Sequence, residues 1–432
     1  MKTIVWETAS AKKRTQALAR PAQSQNAGLA RDVLEILRAV KQRGDDALRE
    51  FSMKFDGVGR KEFRVSAQEI KKAAASIDPE LRAAMKVAKA NIEKFHKAEY
   101  PKNVKIETMP GVDCALHWRA IENIGLYIPA GTAPLFSALL MQAVPARIAG
   151  CRNIVLCSPP QGDGKIHPAV LAAASLCGVT DVFAVGGAQA IGAMAYGTET
   201  IPKVDKIFGP GNAYVTTAKQ IVSQEAGGAA IDMPAGPSEV MVIADKAARA
   251  DWVAADLLAQ AEHDVSAQAI LVTTDAGFGE RVKDEVGKQL ARLPRRAIAA
   301  KSIAGSRVIV VSDKGTAIEV ANLYAPEHLI MHSKNAAKDL PKIRNAGSVF
   351  VGAWTPESAG DYASGTNHVL PTYGYARAYS GLTVLSFMKS MAVQSLTRGG
   401  LRQLGPTIVT MAKAEGLDAH ANAVTIRLKG RA

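Results

Sequence analysis

The chain has 432 residues, room for roughly two to four domains. Hydrophobic residues at 48% and charged residues at 22% exclude a largely disordered protein. The net charge of +13 points to anionic ligands, dinucleotides included, while aromatics at 5% are too sparse for a single-strand nucleic-acid platform. Basic residues are scattered, with only Arg427, Lys429 and Arg431 closing the chain together, so no nucleic-acid partner is expected. Cys114, Cys151, Cys157 and Cys177 are too few for a disulfide framework in a chain this long, and without a CxxC pair they indicate neither a zinc ribbon nor a thioredoxin-type motif. The uncharged run 123–146 is broken by Pro129, Pro134 and Pro145 and reads as strand, turn and helix, not as a membrane span. A soluble cytoplasmic protein is the expectation.

In chain order, the first hundred residues read as helical. Apolar spacing at three and four predicts helix over 30–51, and Asp78-Pro79 starts a second long helix over 79–96. After 123 the pattern changes to short apolar runs alternating with helices. Strands are predicted over 125–128, 154–158, 181–185 and 206–208, with helices opening near Leu135, His167, Ala188 and Ala213. The alternation restarts after the Gly/Pro-rich stretch 227–237. Strands are predicted there over 238–243, 269–273, 307–311, 329–331 and 348–351. Two open α/β units with parallel sheets follow from this pattern. Ligands in such sheets bind at the carboxyl ends of the strands. The segment after Ser380 reads as a basic helical tail too short for its own core.

Two turns open helices directly after strands: Val185-Gly186-Gly187-Ala188-Gln189 and Phe208-Gly209-Pro210-Gly211-Asn212. Glycines there admit a ligand close to the backbone, and the amides of Gln189 and Asn212 suit ribose or nicotinamide groups; tight packing alone would also require such glycines. Gln260 and His263, three apart at a helix end, put an oxygen and a nitrogen within reach of one ion. A histidine at a helix end near acids is more often a favourable dipole contact. Glu327 and His328 are adjacent behind Pro326, whose irregular turn lets both enter one cleft as two bases of different strength; a polar strand entry is the plainer alternative. Asp361, in an acidic loop, is a candidate third ligand. Glu415 and His420 sit in the tail, which suggests that the tail completes the site of another subunit.

Taken together, these stretches resemble the L-histidinol dehydrogenase family over essentially the whole chain. The resemblance is carried by Gly125-Leu126-Tyr127-Ile128-Pro129, Ala235-Gly236-Pro237-Ser238-Glu239, Gln260 to Asp264, Ala325-Pro326-Glu327-His328 and the run Gly360 to Thr372. Two positions depart from the family pattern: Ala130 before Gly131, and Val265 after His263-Asp264. The resemblance implies oxidation of L-histidinol through an aldehyde to L-histidine with two NAD, the last step of histidine biosynthesis. It further implies one zinc per subunit held by Gln260, His263, Asp361 and His420, with His420 crossing from the other half of a homodimer whose active sites are shared. Glu327 and His328 would be the acid–base pair. Ser238 and Glu415 would join His328 and the four metal ligands in binding substrate, and Tyr127, Gln189 and Asn212 would contact NAD.

The implied fold is two Rossmann-like domains without the G-x-G-x-x-G fingerprint, plus small helical pieces at each end. On this reading residues 1–25 are an arm. Residues 26–128 and 238–380 form a discontinuous domain carrying zinc and acid–base residues, 129–237 the NAD domain, and 381–432 the tail reaching the partner. The nearest alternative is a zinc- and NAD-dependent paralogue oxidising another small alcohol, such as a sulfonated diol. A zinc hydrolase using His263, Asp361 and His420 would need no dinucleotide, and a zinc-stabilised binding protein would have no use for Glu327 beside His328.

Overall fold

Apolar runs without a polar face cannot border water, and they set the architecture. The computed structural model describes residues 1–21, 27–129, 134–234 and 236–430. Among these, the first half of the chain provides strands β1 (Lys2–Val5), β2 (Val104–Met109), β3 (Val112–Ala120), β4 (Asn123–Tyr127), β5 (Asn153–Ser158), β6 (Asp181–Ala184), β7 (Lys206–Phe208) and β8 (Ala230–Ile231). The second half adds β9 (Glu239–Ala244), β10 (Gln268–Thr273), β11 (Arg307–Val310), β12 (His328–His332), β13 (Ser348–Val351) and β14 (Met388–Leu396).

Strands β4 to β8 form a parallel sheet in the order β6-β5-β4-β7-β8. Strands β9 to β13 repeat that order as β11-β10-β9-β12-β13. Both are doubly wound, and each reverses direction beside its first strand, between β4 and β7 and between β9 and β12. The two parallel α/β sheets expected from the apolar runs are present. Strands β9 and β10 are buried at every position, as strands covered by helices on both faces must be.

Residues 27–98, expected to group with 238–380, pack largely on the five-stranded unit. Helices Ala27–Arg43 and Asp45–Asp56 pack Val33, Leu37, Leu48 and Phe51 against Phe183, Ile191 and Ile207 of the five-stranded unit. Helices Ala67–Ser76 and Pro79–Ala98 pack Ile70, Met85 and Ile92 against Ile124, Leu139 and Val170 on its other side. This unit begins with β4, so its apolar helices need outer cover from the residues just before them. The single helix expected over 30–51 is broken at Gly44, whose φ of +51° favours glycine. The start at Asp78-Pro79 is as expected, with the Asp78 carboxylate accepting from Glu80 N at 2.6 Å.

Both ends carry helical pieces as expected, Ala11–Ala17 at the start and two helices in the tail, and each adds a strand. Strand β1 lengthens the second sheet, pairing in parallel with β11 from Lys2 beside Arg307 to Val5 beside Val310. In the tail, β14 pairs antiparallel with β3, and β2 completes a three-stranded sheet. Met388–Leu396 is exposed at most positions on both faces, so no period-two apolar pattern announces it. Helices Arg398–Ala414 and Asp418–Lys429 follow and pack on one another where Gly405 meets Val424 and Leu428. Among the described residues no helix is long and apolar enough to cross a membrane.

Candidate active site

A cleft of about 160 Å³ lies where the two sheets face each other. Gly209, Pro210, Lys219 and Asp232 line it from the carboxyl edge of the first sheet, as the strand rule predicts. The second sheet contributes its amino edge instead: Ser238 precedes β9, Glu327 precedes β12 and His328 opens β12. The carboxyl-end expectation therefore holds for one sheet and is reversed for the other. Gln260 and His263 enter from the end of helix Ala250–Ala261, and Asp361 from the short helix Glu357–Tyr362.

The turn before β12 is irregular in the way its sequence suggests. Ala325 takes a left-handed φ of +53° to end helix Lys314–Tyr324, Pro326 follows, and Glu327 and His328 both reach the cleft. Glu327 Oε2 accepts from Glu239 N at 2.8 Å. His328 Nδ1 lies 3.1 Å from Glu239 O. A proton on Nδ1 donated to that carbonyl leaves Nε2 as the free base. Nε2 is buried without a hydrogen-bond partner, 3.5 Å from Asp361 Oδ1. Burial pushes the Glu327 carboxyl up to about 7. Burial also works against charge on His328, but Glu357, Glu327 and Asp361 outweigh it and raise the imidazole to about 10.

The free donor atoms decide whether this cleft suits a zinc ion. His328, Glu357 and Asp361 hold ligand-capable atoms within 4.8 Å of one another, and Glu357 Oε2 is buried without a hydrogen-bond partner. Turned with its nitrogen toward Glu357 Oε1 (2.8 Å) and Glu239 O (3.2 Å), the Gln260 amide no longer sets its oxygen against those acceptors. Burial lowers the proton affinity of His263, favouring the neutral imidazole that binds metals. A mixed nitrogen and oxygen donor set of this kind fits zinc.

Of the expected metal ligands, Gln260, His263 and Asp361 line the cleft and His420 does not. His420 and Glu415 are exposed, the first on helix Asp418–Lys429 and the second just beyond helix Arg398–Ala414. Tyr127, Gln189 and Asn212 cluster at the carboxyl edge of the first sheet without lining the cleft. The Tyr127 hydroxyl accepts from Gly187 N at 3.1 Å, Gln189 is buried in the first turn of helix Gly187–Tyr196, and Asn212 caps helix Ala213–Gln224 by accepting from Val215 N at 3.1 Å. Ala130, Gly131 and Ala235 lie outside the described residues. Val265 is an exposed side chain beside His263-Asp264.

Several functional positions escaped the reading of the sequence. Glu357 lies in the same acidic stretch as Asp361, yet its burial against His328, 3.6 Å away, has no local signature. His368 Nδ1 meets Asp361 O at 2.6 Å and fixes that loop. Lys219 did carry a signal, because it falls in the buried stripe of Val215, Ala218 and Val222. Arg20 pairs through two nitrogens with the buried Glu239 carboxylate and stacks over the Tyr324 ring at 3.9 Å. Arg20→Met leaves that carboxylate with the Tyr373 N–H but without its counter-charge and is expected to cost about 3–5 kcal/mol, read as a lower urea midpoint. An unchanged midpoint would show that the pair adds nothing.

The comparisons bear on this geometry over the full chain. The histidinol dehydrogenase family profile matches residues 18–428. The chain is 53% identical over 429 residues to the histidinol dehydrogenase of Vibrio vulnificus strain YJ016, covering 99% of each chain. It is 55% identical over 425 residues to that of Escherichia coli O157:H7, covering 98% of this chain and 97% of the other. The crystal structure of histidinol dehydrogenase from Elizabethkingia anophelis superposes with a TM-score of 0.96 at 49% identity, covering 99% of this chain and 98% of that one. With full-length matches in sequence and fold, and with Glu327, His328 and metal-capable groups gathered in one cleft, the chain belongs to the histidinol dehydrogenase family of NAD-dependent oxidoreductases.

Proposed function

We propose that this cleft binds L-histidinol and carries both oxidations to L-histidine with NAD. The observation that carries the reading is the convergence of Gln260, His263, Glu327, His328 and Asp361 from distant parts of the chain. Each oxidation removes a hydride from the same carbon and a proton from a hydroxyl on that carbon. His328 Nε2 takes the hydroxyl proton of the alcohol and later that of the aldehyde hydrate. Glu327, held by the Glu239 amide and raised to about 7, takes the proton of the water that adds to the aldehyde. Gln260, His263, Asp361 and the partner subunit's His420 would hold zinc, which when bound orients the imidazole and amine nitrogens of the substrate. Zinc held by Asp361 would also oppose protonation of His328 and so leave its base form available. Ser238 and the partner subunit's Glu415 would contact the substrate, while Tyr127, Gln189 and Asn212 would contact NAD.

A homodimer with shared sites accounts for the tail. Its helices and three-stranded sheet expose Val104, Ile106, Met391, Met411 and Ile426, apolar area suited to a second copy. A cytoplasmic location accords with a biosynthetic role. The relatives named above support histidinol over a sulfonated diol. Comparing NADH formation on the two alcohols tests this directly: reduction with histidinol is expected, and reduction with the diol alone would overturn it. Glu327→Gln should slow conversion of added L-histidinaldehyde by about 10²–10⁴ in a stopped-flow NADH assay. Conversion at the normal rate would remove Glu327 from the water step.

A further inference from the structure

A charged pair on the cleft wall takes no part in the acid–base chemistry above. Lys219, in helix Ala213–Gln224, places Nζ 2.5 Å from Oδ1 of Asp232, just beyond β8, and the two side chains are 6% and 2% exposed. Two buried charges are costly unless their remaining polar atoms are satisfied. Here most of those atoms converge on one glycine. Lys219 Nζ donates to Gly209 O at 2.8 Å, and Gly209 N donates to Asp232 Oδ2 at 2.8 Å. Met233 N donates to Asp232 Oδ1 at 2.8 Å. Gly209 follows β7 beside the point where the sheet reverses, with a φ of +123°, and a Cβ there would stand 2.0 Å from Tyr127 O. Side chains, rather than a sheet or helix ladder, thus hold both backbone polar groups of Gly209.

We propose that the Lys219–Asp232 pair is a positioning device for the dinucleotide. It fixes Gly209 so that Gly209-Pro210-Gly211-Asn212 meets NAD already in its bound shape. The inference rests on the NAD reading given above. Apolar side chains of the same volume would fill this space at no desolvation cost, so an ion pair kept on a cleft wall points to the turn it clamps. Neither residue exchanges a proton with substrate, which Glu327 and His328 meet from the other sheet. Loss of the clamp should therefore act on NAD and spare histidinol.

The test is steady-state kinetics on full-length Lys219→Met and Asp232→Asn, with circular dichroism to confirm folding. The KM for NAD should rise about tenfold or more while the KM for histidinol stays within about twofold. A lower kcat with both KM values unchanged is the mark of a merely structural pair and overturns the proposal. Gly209→Ala keeps both charges and displaces the turn against Tyr127 O, so it provides a second check where pair variants fold poorly. It should give the same NAD-specific rise, and an unchanged KM for NAD overturns the proposal. Wild-type enzyme that fails to reduce NAD with histidinol contradicts the cofactor reading itself.

Discussion

Replacing His328 with asparagine is expected to lower NADH formation from histidinol by about 10²–10⁴, with the loss in kcat. The asparagine amide can still donate to Glu239 O in place of Nδ1, which lies 3.1 Å from that carbonyl, so the turn at β12 keeps its anchor. What disappears is Nε2, the buried nitrogen left without a hydrogen-bond partner beside Asp361. Both oxidations need a base at that atom, so both should slow together. Steady-state rates on histidinol and on added aldehyde measure this, and unchanged turnover refutes the role.

His420→Ala should release zinc and abolish activity while leaving the fold intact, because His420 is exposed in its own chain. Metal analysis after gel filtration measures the first effect. Sharing between subunits makes a sharper prediction. His420→Ala and His328→Asn chains are each inactive alone, but a mixed dimer has one cleft with both residues intact and one with neither. Confirmed heterodimers should regain about half of the wild-type activity per dimer. No recovery would mean that each chain supplies its own ligands.

The parallel sheets were legible because strands buried on both faces must be apolar throughout, as Val240 to Ala244 and Ala269 to Val272 are. Strands β2 and β14 were not, since exposure on both faces erases any alternation, and β14 depends on pairing with β3 from the far side of the chain. The packing of helices 27–98 was hidden for a related reason: the sequence shows that they have an apolar face but not which sheet it covers. At the site, Gln260, His263, Glu327, His328 and Asp361 stood out as polar residues at element ends. Glu357 and Asp232 owe their importance to burial and to partners far away in sequence, which no local spacing encodes.

The proposed reaction is two oxidations of one molecule in one cleft with the help of a bound metal. Counting NADH formed per histidinol consumed, before and after chelation of the purified enzyme, tests it most directly. Two NADH per histidinol, both lost on chelation and restored by zinc, is the predicted result. One NADH with free aldehyde accumulating, or two that persist in metal-free enzyme, would contradict it.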